Sequence, residues 1–186
     1  MIWLIVLLAI VLAVFLLLVW LYNRFVRLRN RVDNAWAQIE VQLKRRWDLI
    51  PNLVESVKGY AAHERGTFES VTQARTQAQQ AQTPAETAAA EGILSQALGR
   101  LFAVAEAYPE LQADENFRQL QTELAETENR IAVSRQVYND SVLTYNNAVQ
   151  TFPGVVLAGP FGFSIREFFD VEEEAQREPP RVDFAR

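Results

Sequence analysis

Residues 2–22 read IWLIVLLAIVLAVFLLLVWLY and contain no charged side chain. An α-helix of this length extends about 30 Å, which matches the hydrocarbon core of a lipid bilayer. A helix is also the form in which a lone segment pairs all of its backbone N–H and C=O groups in lipid. The stretch therefore predicts a transmembrane helix over residues 1–23. The alternative is a helix buried on all sides in a protein core.

Four arginines follow the predicted span at once, and they bear on its topology. The segment has no basic start and no A-x-A site before this cluster, so it does not match a cleavable signal peptide. Positive charge beside a span is retained in the cytoplasm, which predicts Met1 outside and the remaining chain inside; the opposite topology stays open. We expect the cluster to lie at the membrane surface and contact lipid headgroups, or else only to record topology: Arg24, Arg27, Arg29 and Arg31.

Composition narrows the function classes. The chain has 186 residues and a net charge of −5, which argues against a nucleic-acid partner, since such proteins are usually strongly basic. It has no cysteine, which excludes disulfides and thiolate metal sites. Residues 152–186 form a Phe/Gly-rich segment and an acidic tail, with six acids between Glu167 and Glu178.

The residues after the span repeat apolar side chains at alternating steps of four and three. This heptad pattern predicts one long helix over about 24–82, with Arg46 as the polar member of its buried seam. Pro51 falls within the pattern and predicts a kink, or else two helices that meet at residues 49–52. The seam is Val32, Trp36, Ile39, Leu43, Arg46, Ile50, Leu53, Val57 and Tyr60.

Two further helices are predicted, over about 85–107 and 115–151. Thr83-Pro84-Ala85-Glu86 is typical of a capped helix start, and the Tyr108-Pro109 pair predicts a helix end. Polar residues interrupt the apolar seam of the last helix. They either fix its register from a buried position or face solvent: Asn129, Asn139, Asn146 and Asn147. Together the patterns predict an all-α fold, with an antiparallel bundle of long helices that continues from the transmembrane helix.

The composition of the chain changes at residues 152–163, where glycine and proline are too frequent for a helix and the other residues are too apolar for a solvated linker. The segment either folds back to seal the end of the bundle or docks on something else. Trp47, one step off the first seam, widens the core or contacts a partner helix. The predicted interaction residues are Trp47, Phe161, Phe163, Phe168 and Phe169.

The sequence offers no catalytic constellation. His63 is the only histidine, and Tyr60 stands three residues before it, so the Glu-x-x-His pair of a di-iron bundle is missing. We interpret His63 as a solvated or hydrogen-bonded side chain on a helix surface. No glycine-rich phosphate loop is present among the seven glycines. The sequence thus predicts no catalytic, metal or cofactor site and a non-enzymatic protein.

Several segments in order along the chain resemble the LemA family. The match covers nearly the whole chain, and Trp47 and Ser164-Ile165 are local departures from the family pattern. The segments are LRNRV at 28–32, AWAQI at 35–39, DLIPNLV at 48–54, VKGY at 57–60, ENRIA at 128–132, Phe152-Pro153, FGF at 161–163 and REFF at 166–169. The resemblance implies an elongated helical bundle on a bacterial membrane anchor, with no established reaction. It also implies a chromosomal setting near membrane metalloproteases.

Two functions follow as hypotheses. The first is a single-pass protein of the bacterial inner membrane that acts as a self-associating scaffold, in envelope organisation or stress. The second is a regulatory adaptor of a membrane protease or transporter. The expected partners are membrane lipids and other copies of the chain in the first case, and a different membrane protein in the second.

Overall fold

The structure, a computed structural model, describes residues 1–169 and is all-α over that range, without strands. The acidic tail from Asp170 onward lies outside the described residues. The chain forms two compact units, one from Met1–Leu49 with Gln119–Phe168 and one mainly from Ile50–Arg118. The helices are α1 Ile2–Lys58, α2 Arg65–Gln80, α3 Pro84–Glu106, α4 Pro109–Ala113, α5 Glu115–Gln150 and α6 Gly154–Ala158.

Helix α1 joins the apolar stretch to the packed part of the chain without a break. By length and composition it is a candidate membrane span. Residues 2–17 are all exposed, and Leu21 is the first buried side chain. So much apolar surface without a protein partner is far more than water tolerates, and a bilayer is the solvent that suits it. The helix also continues through Pro51, as the seam register indicated.

In the first unit, α1 and α5 run antiparallel with their seams facing each other. The Trp36 and Tyr138 rings lie 5.3 Å apart, and Arg46 Nη2 lies 2.7 Å from Glu128 Oε1. Ten residues forward on α1 thus correspond to ten residues back on α5. Arg46 is buried on the seam, where its carboxylate partner compensates for the loss of water. The seam members buried in this unit are Val32, Ile39, Leu43, Arg46, Leu124, Thr127, Ile131, Tyr138, Val142, Tyr145 and Val149.

The long helix predicted over 24–82 is divided in the structure. Helix α1 ends at Lys58, a turn follows, and α2 begins at Arg65. Glycine at position 59 and again at 66 weakens helix formation on both sides of this turn. As a result Tyr60, predicted for the seam, is exposed, and Ala61 is buried instead.

In the second unit, α2 packs against α3. Alanines at the buried positions let the two helices approach closely, and larger side chains fill the remaining core. The capping box predicted at the start of α3 is confirmed: the Thr83 hydroxyl accepts from the Glu86 N–H, and the Glu86 carboxylate accepts from the Thr83 N–H. The buried residues of α2 and α3 include Phe68, Val71, Ala74, Ala78, Ala88, Leu94, Ala97, Leu98, Leu101 and Ala105.

The segment after α5 contains a short helix that the glycine and proline content did not suggest. Helix α6 covers Gly154–Ala158, with Pro153 at its N-cap and Gly159 at its C-cap. These residues bound the helix rather than interrupt it. Gly154 is required by close approach: a Cβ there would collide with the Ala148 carbonyl oxygen and come within 3.1 Å of the Phe25 ring.

Candidate membrane-proximal site

The chain after α6 folds back on the first unit as an extended strap, residues 161–168. Phe163 is buried, and its ring lies 5.1 Å from that of Phe25 and 5.7 Å from that of Tyr22. Phe161 also contacts Tyr22, with the ring centroids 5.5 Å apart. These edge and tilted ring pairs fasten the foot of the strap to α1, directly where the apolar stretch ends.

Farther along, the strap is held by polar side chains of both long helices. Asn146 is buried; its Nδ2 donates to the Arg166 carbonyl at 2.9 Å, and its Oδ1 accepts from the Arg166 N–H at 2.8 Å. The Tyr138 hydroxyl donates to the Glu167 carbonyl at 2.8 Å. The Arg166 guanidinium donates to Asp33 at 2.9 Å. The strap therefore bonds to α5 through its backbone and to α1 through a side chain.

Burial changes the acid–base properties of the two tyrosines beneath the strap. Loss of solvent raises the pKa of Tyr138 from 10 to about 12, helped by the negative charges of Glu167 and Asp33 and opposed by Arg166. Burial likewise raises the pKa of Tyr145, against the opposing charges of Arg166 and Arg29. Both side chains therefore stay neutral at physiological pH and serve as packing and hydrogen-bonding groups.

The four arginines predicted for the membrane surface lie on α1 just after the apolar stretch, and they do not form one cluster. Arg24, Arg27 and Arg31 are exposed, and the Arg24 guanidinium lies 5.5 Å from the Trp20 ring. Arg29 is half-buried and stacks 5.4 Å from the Phe163 ring, so it supports the strap. Arg27 and Arg31 also line a groove between α1 and α5 whose other walls are mainly polar: Asn30, Asn34, Ala35, Gln38, Val137 and Ser141.

The predicted interaction residues separate into buried and exposed members. Phe163 and Phe169 are buried, whereas Phe161 and Phe168 expose 44% and 41% of their surface. Trp47 is half-buried on α1. Two of the four phenylalanines are thus buried, and the other two are available at the surface.

Sequence reasoning missed the residues that hold the strap. Asn146 was one of four asparagines for which a solvent-facing position was the favoured alternative, and among them it alone is buried. Its position on the seam beside Tyr145 is the signal that could have singled it out. Asp33 and Glu167 carried no such signal, because their partners are 133 and 29 residues away along the chain.

His63 lies in the exposed turn between α1 and α2, not on a helix surface as predicted. The predicted helix does not reach His63, because α1 ends at Lys58 and a turn follows. Within residues 1–169, no three histidine or acidic side chains come together in a way that could hold a metal ion.

Comparison with known proteins places the chain in a family. The LemA family profile matches residues 35–184, and the chain therefore belongs to the LemA family. It is 31% identical to Magnetosome protein MamQ 2 of Paramagnetospirillum magneticum and 30% identical to Magnetosome protein MamQ of Magnetospirillum gryphiswaldense. Each alignment covers 80% of this chain and 64% of the relative, so the chain spans less than two thirds of their length. It is also 28% identical to Protein LemA of Metamycoplasma hominis, over 70% of this chain and 60% of that protein.

Proposed function

We propose that this chain is a single-pass, non-enzymatic membrane scaffold that associates with copies of itself. The observation that carries the proposal is the continuity of α1, whose apolar stretch passes into the buried seam at Leu21 with no intervening loop. A helix that is continuous across this boundary fixes the direction in which the first unit leaves the bilayer. A scaffold needs such a fixed direction, which a flexible linker at this boundary would not provide.

The strap supplies the surface for self-association. Phe161, Ile165 and Phe168 expose 44%, 59% and 41% of their surface along eight residues of chain. Isolated apolar side chains are ordinary on a protein surface, but a row of this kind is typical of an interaction site. Aromatic residues contribute most to such contacts, because they bury large area at a small cost in conformational entropy.

The polar groups around the strap favour a structural role over catalysis. Asn146, Tyr138 and Arg166 are each engaged in bonds that hold the strap. A catalytic group must instead meet its substrate. In the proposal the bundle lies on the cytoplasmic side of the inner membrane, with exposed Arg24, Arg27 and Arg31 contacting anionic headgroups.

The test is the mass of the full chain in mild detergent, by native mass spectrometry. We expect a defined multimer, and we expect Phe161→Ser with Phe168→Ser to dissociate it while helicity is retained. Val41→Ser with Val133→Ser is the matched control, since both valines are exposed outside the strap and expose 63% and 64% of their surface. A wild-type monomer would contradict self-association; a monomer that co-purifies with one different membrane protein would favour the adaptor hypothesis.

A further inference from the structure

Helix α6 presents an apolar surface that no described residue covers. Phe152 exposes 83% of its surface, Val155 53% and Val156 62%. We refer to these three side chains as the α6 face. The other side of the helix is packed, with Gly154 and Ala158 buried. The helix is thus anchored on one side and apolar on the side that it turns outward.

The position of the α6 face follows from the packing of the two long helices. Because Trp36 faces Tyr138 and Arg46 faces Glu128, the same register brings Gln150, the last residue of α5, level with Arg24. The chain after α5 therefore starts at this level, next to the end of the apolar stretch. Contacts on either side of α6 independently give the same location. Gly154 lies next to the Phe25 ring, and the Phe161 ring packs against that of Tyr22. The α6 face therefore lies where α1 leaves the bilayer.

The chemistry of this region suits a lipid surface. No charged residue occurs between Asp140 and Arg166, so nothing in α6 or its flanks resists burial in an apolar medium. Arg24 is exposed on α1 two residues after the apolar stretch, at the level where a guanidinium would contact lipid phosphates. Interfacial helices combine these two features, an apolar face that enters the acyl boundary and cations at headgroup level.

We infer that the α6 face is a second membrane contact, which inserts into the headgroup and upper acyl region of the leaflet from which α1 emerges. The inference goes beyond the proposed scaffold and rests on one part of it, that α1 crosses the bilayer. It does not depend on self-association, since it uses Phe152, Val155 and Val156 and not the exposed side of the strap. A second contact of this kind would restrain the tilt and rotation of the first unit on the membrane.

The absence of cysteine makes a direct test possible, because one introduced cysteine is a unique label site. The full chain is reconstituted in vesicles of equal parts phosphatidylcholine and phosphatidylglycerol. A nitroxide is attached at Val156→Cys, with Val155→Cys as a second position on the same face. Leu12→Cys in the apolar stretch gives the deep reference, and Val133→Cys, exposed on α5 away from this end, gives the aqueous reference. The relative accessibility to oxygen and to a water-soluble nickel chelate reports depth.

We expect both α6 labels to favour oxygen over nickel, with a depth between those of Leu12 and Val133. If Leu12 is deep and the α6 labels resemble Val133, the second contact is refuted while the span stands. If Leu12 is itself aqueous, the span fails and the inference fails with it. If the α6 labels are shielded from both reagents and show spin–spin broadening that unlabelled protein relieves, a second copy covers the face and the inference is overturned.

Discussion

The two units of the chain are stabilised in different ways. In the first unit, the contacts that close the bundle join residues far apart in sequence, as between Asp33 and Arg166 or Tyr22 and Phe161. In the second, the helix start at Thr83 is closed by a residue three positions away, and small alanines let α2 and α3 pack. The strap of the first unit therefore depends on long-range contacts, whereas the start of α3 in the second unit depends on a local signal.

Because the two units are stabilised by different contacts, we expect a substitution in one unit to leave the stability of the other unchanged. Loss of a strap contact should loosen α5 near its C-terminal end, and loss of a cap should loosen the start of α3. Hydrogen exchange followed by mass spectrometry distinguishes these two effects, because peptides from the C-terminal part of α5 and peptides from α3 belong to different units. The substitutions below test the contrast in the full chain in detergent, together with urea unfolding.

Phe163→Ala should have the largest effect. Truncation of a buried phenylalanine usually costs about 3–5 kcal/mol, and here it removes the ring that packs on Tyr22, Phe25 and Arg29. We expect faster exchange in α5 peptides near Tyr145 and unchanged exchange in α3. Val133→Ala, a truncation at an exposed site, is the control. Equal loosening of both units would contradict the contrast.

Asn146→Ala should come next, at about 2 kcal/mol. The substitution removes two hydrogen bonds, those of the Asn146 side chain to the N–H and to the C=O of Arg166. Asn147→Ala, at the exposed neighbouring position, should change the free energy of unfolding by a few tenths of a kcal/mol at most. An equal effect of the two substitutions in urea unfolding would show that the strap bonds contribute nothing.

Thr83→Ala should cost about 1 kcal/mol, the usual contribution of an N-cap hydroxyl, and its effect should appear in the second unit. Exchange should increase in the first turn of α3 and stay unchanged in α5. The control is Thr76→Ala, because the Thr76 hydroxyl bonds only to the Thr72 carbonyl within α2. If exchange in α5 rose with the Thr83 variant, the two units would not be separable.

Tyr138→Phe should have the smallest effect at neutral pH, about 0.5–1 kcal/mol for the bond to the Glu167 carbonyl. Its pH dependence is more telling. Between pH 10 and about 12, the unfolded state loses the Tyr138 proton while the folded state keeps it, so the wild type loses stability as pH rises. The variant should lose less over the same range, and Tyr60→Phe, at an exposed tyrosine, should behave like the wild type. Parallel unfolding curves for wild type and Tyr138→Phe would refute the assigned cause.

The elements that sequence predicted well are those with local causes. The apolar stretch, the 3–4 seam, the cap at Thr83 and the continuity of α1 through Pro51 each arise from periodicity or near-neighbour chemistry. The predicted helix over 24–82 was wrong at the point where two local signals conflicted, namely the apolar spacing and a glycine. The heptad register extends past Gly59 as far as Tyr60, yet the helix ends at Lys58, because Gly59 weakens the helix there and the apolar spacing does not reflect this.

The all-α class, the candidate span and the family could thus be predicted from the sequence alone, because uniform apolarity and heptad spacing are properties of residues close together in the chain. Three features could be established only from the folded structure: which phenylalanines are buried, that Asn146 bonds to the backbone of the strap, and that α6 is buried on one side and apolar on its exposed side. Those outcomes depend on contacts between residues far apart in the chain, such as the hydrogen bonds that join Arg166 to Asn146 and to Asp33, which are 20 and 133 positions away. No local pattern encodes such pairings; they arise when the chain folds back on itself.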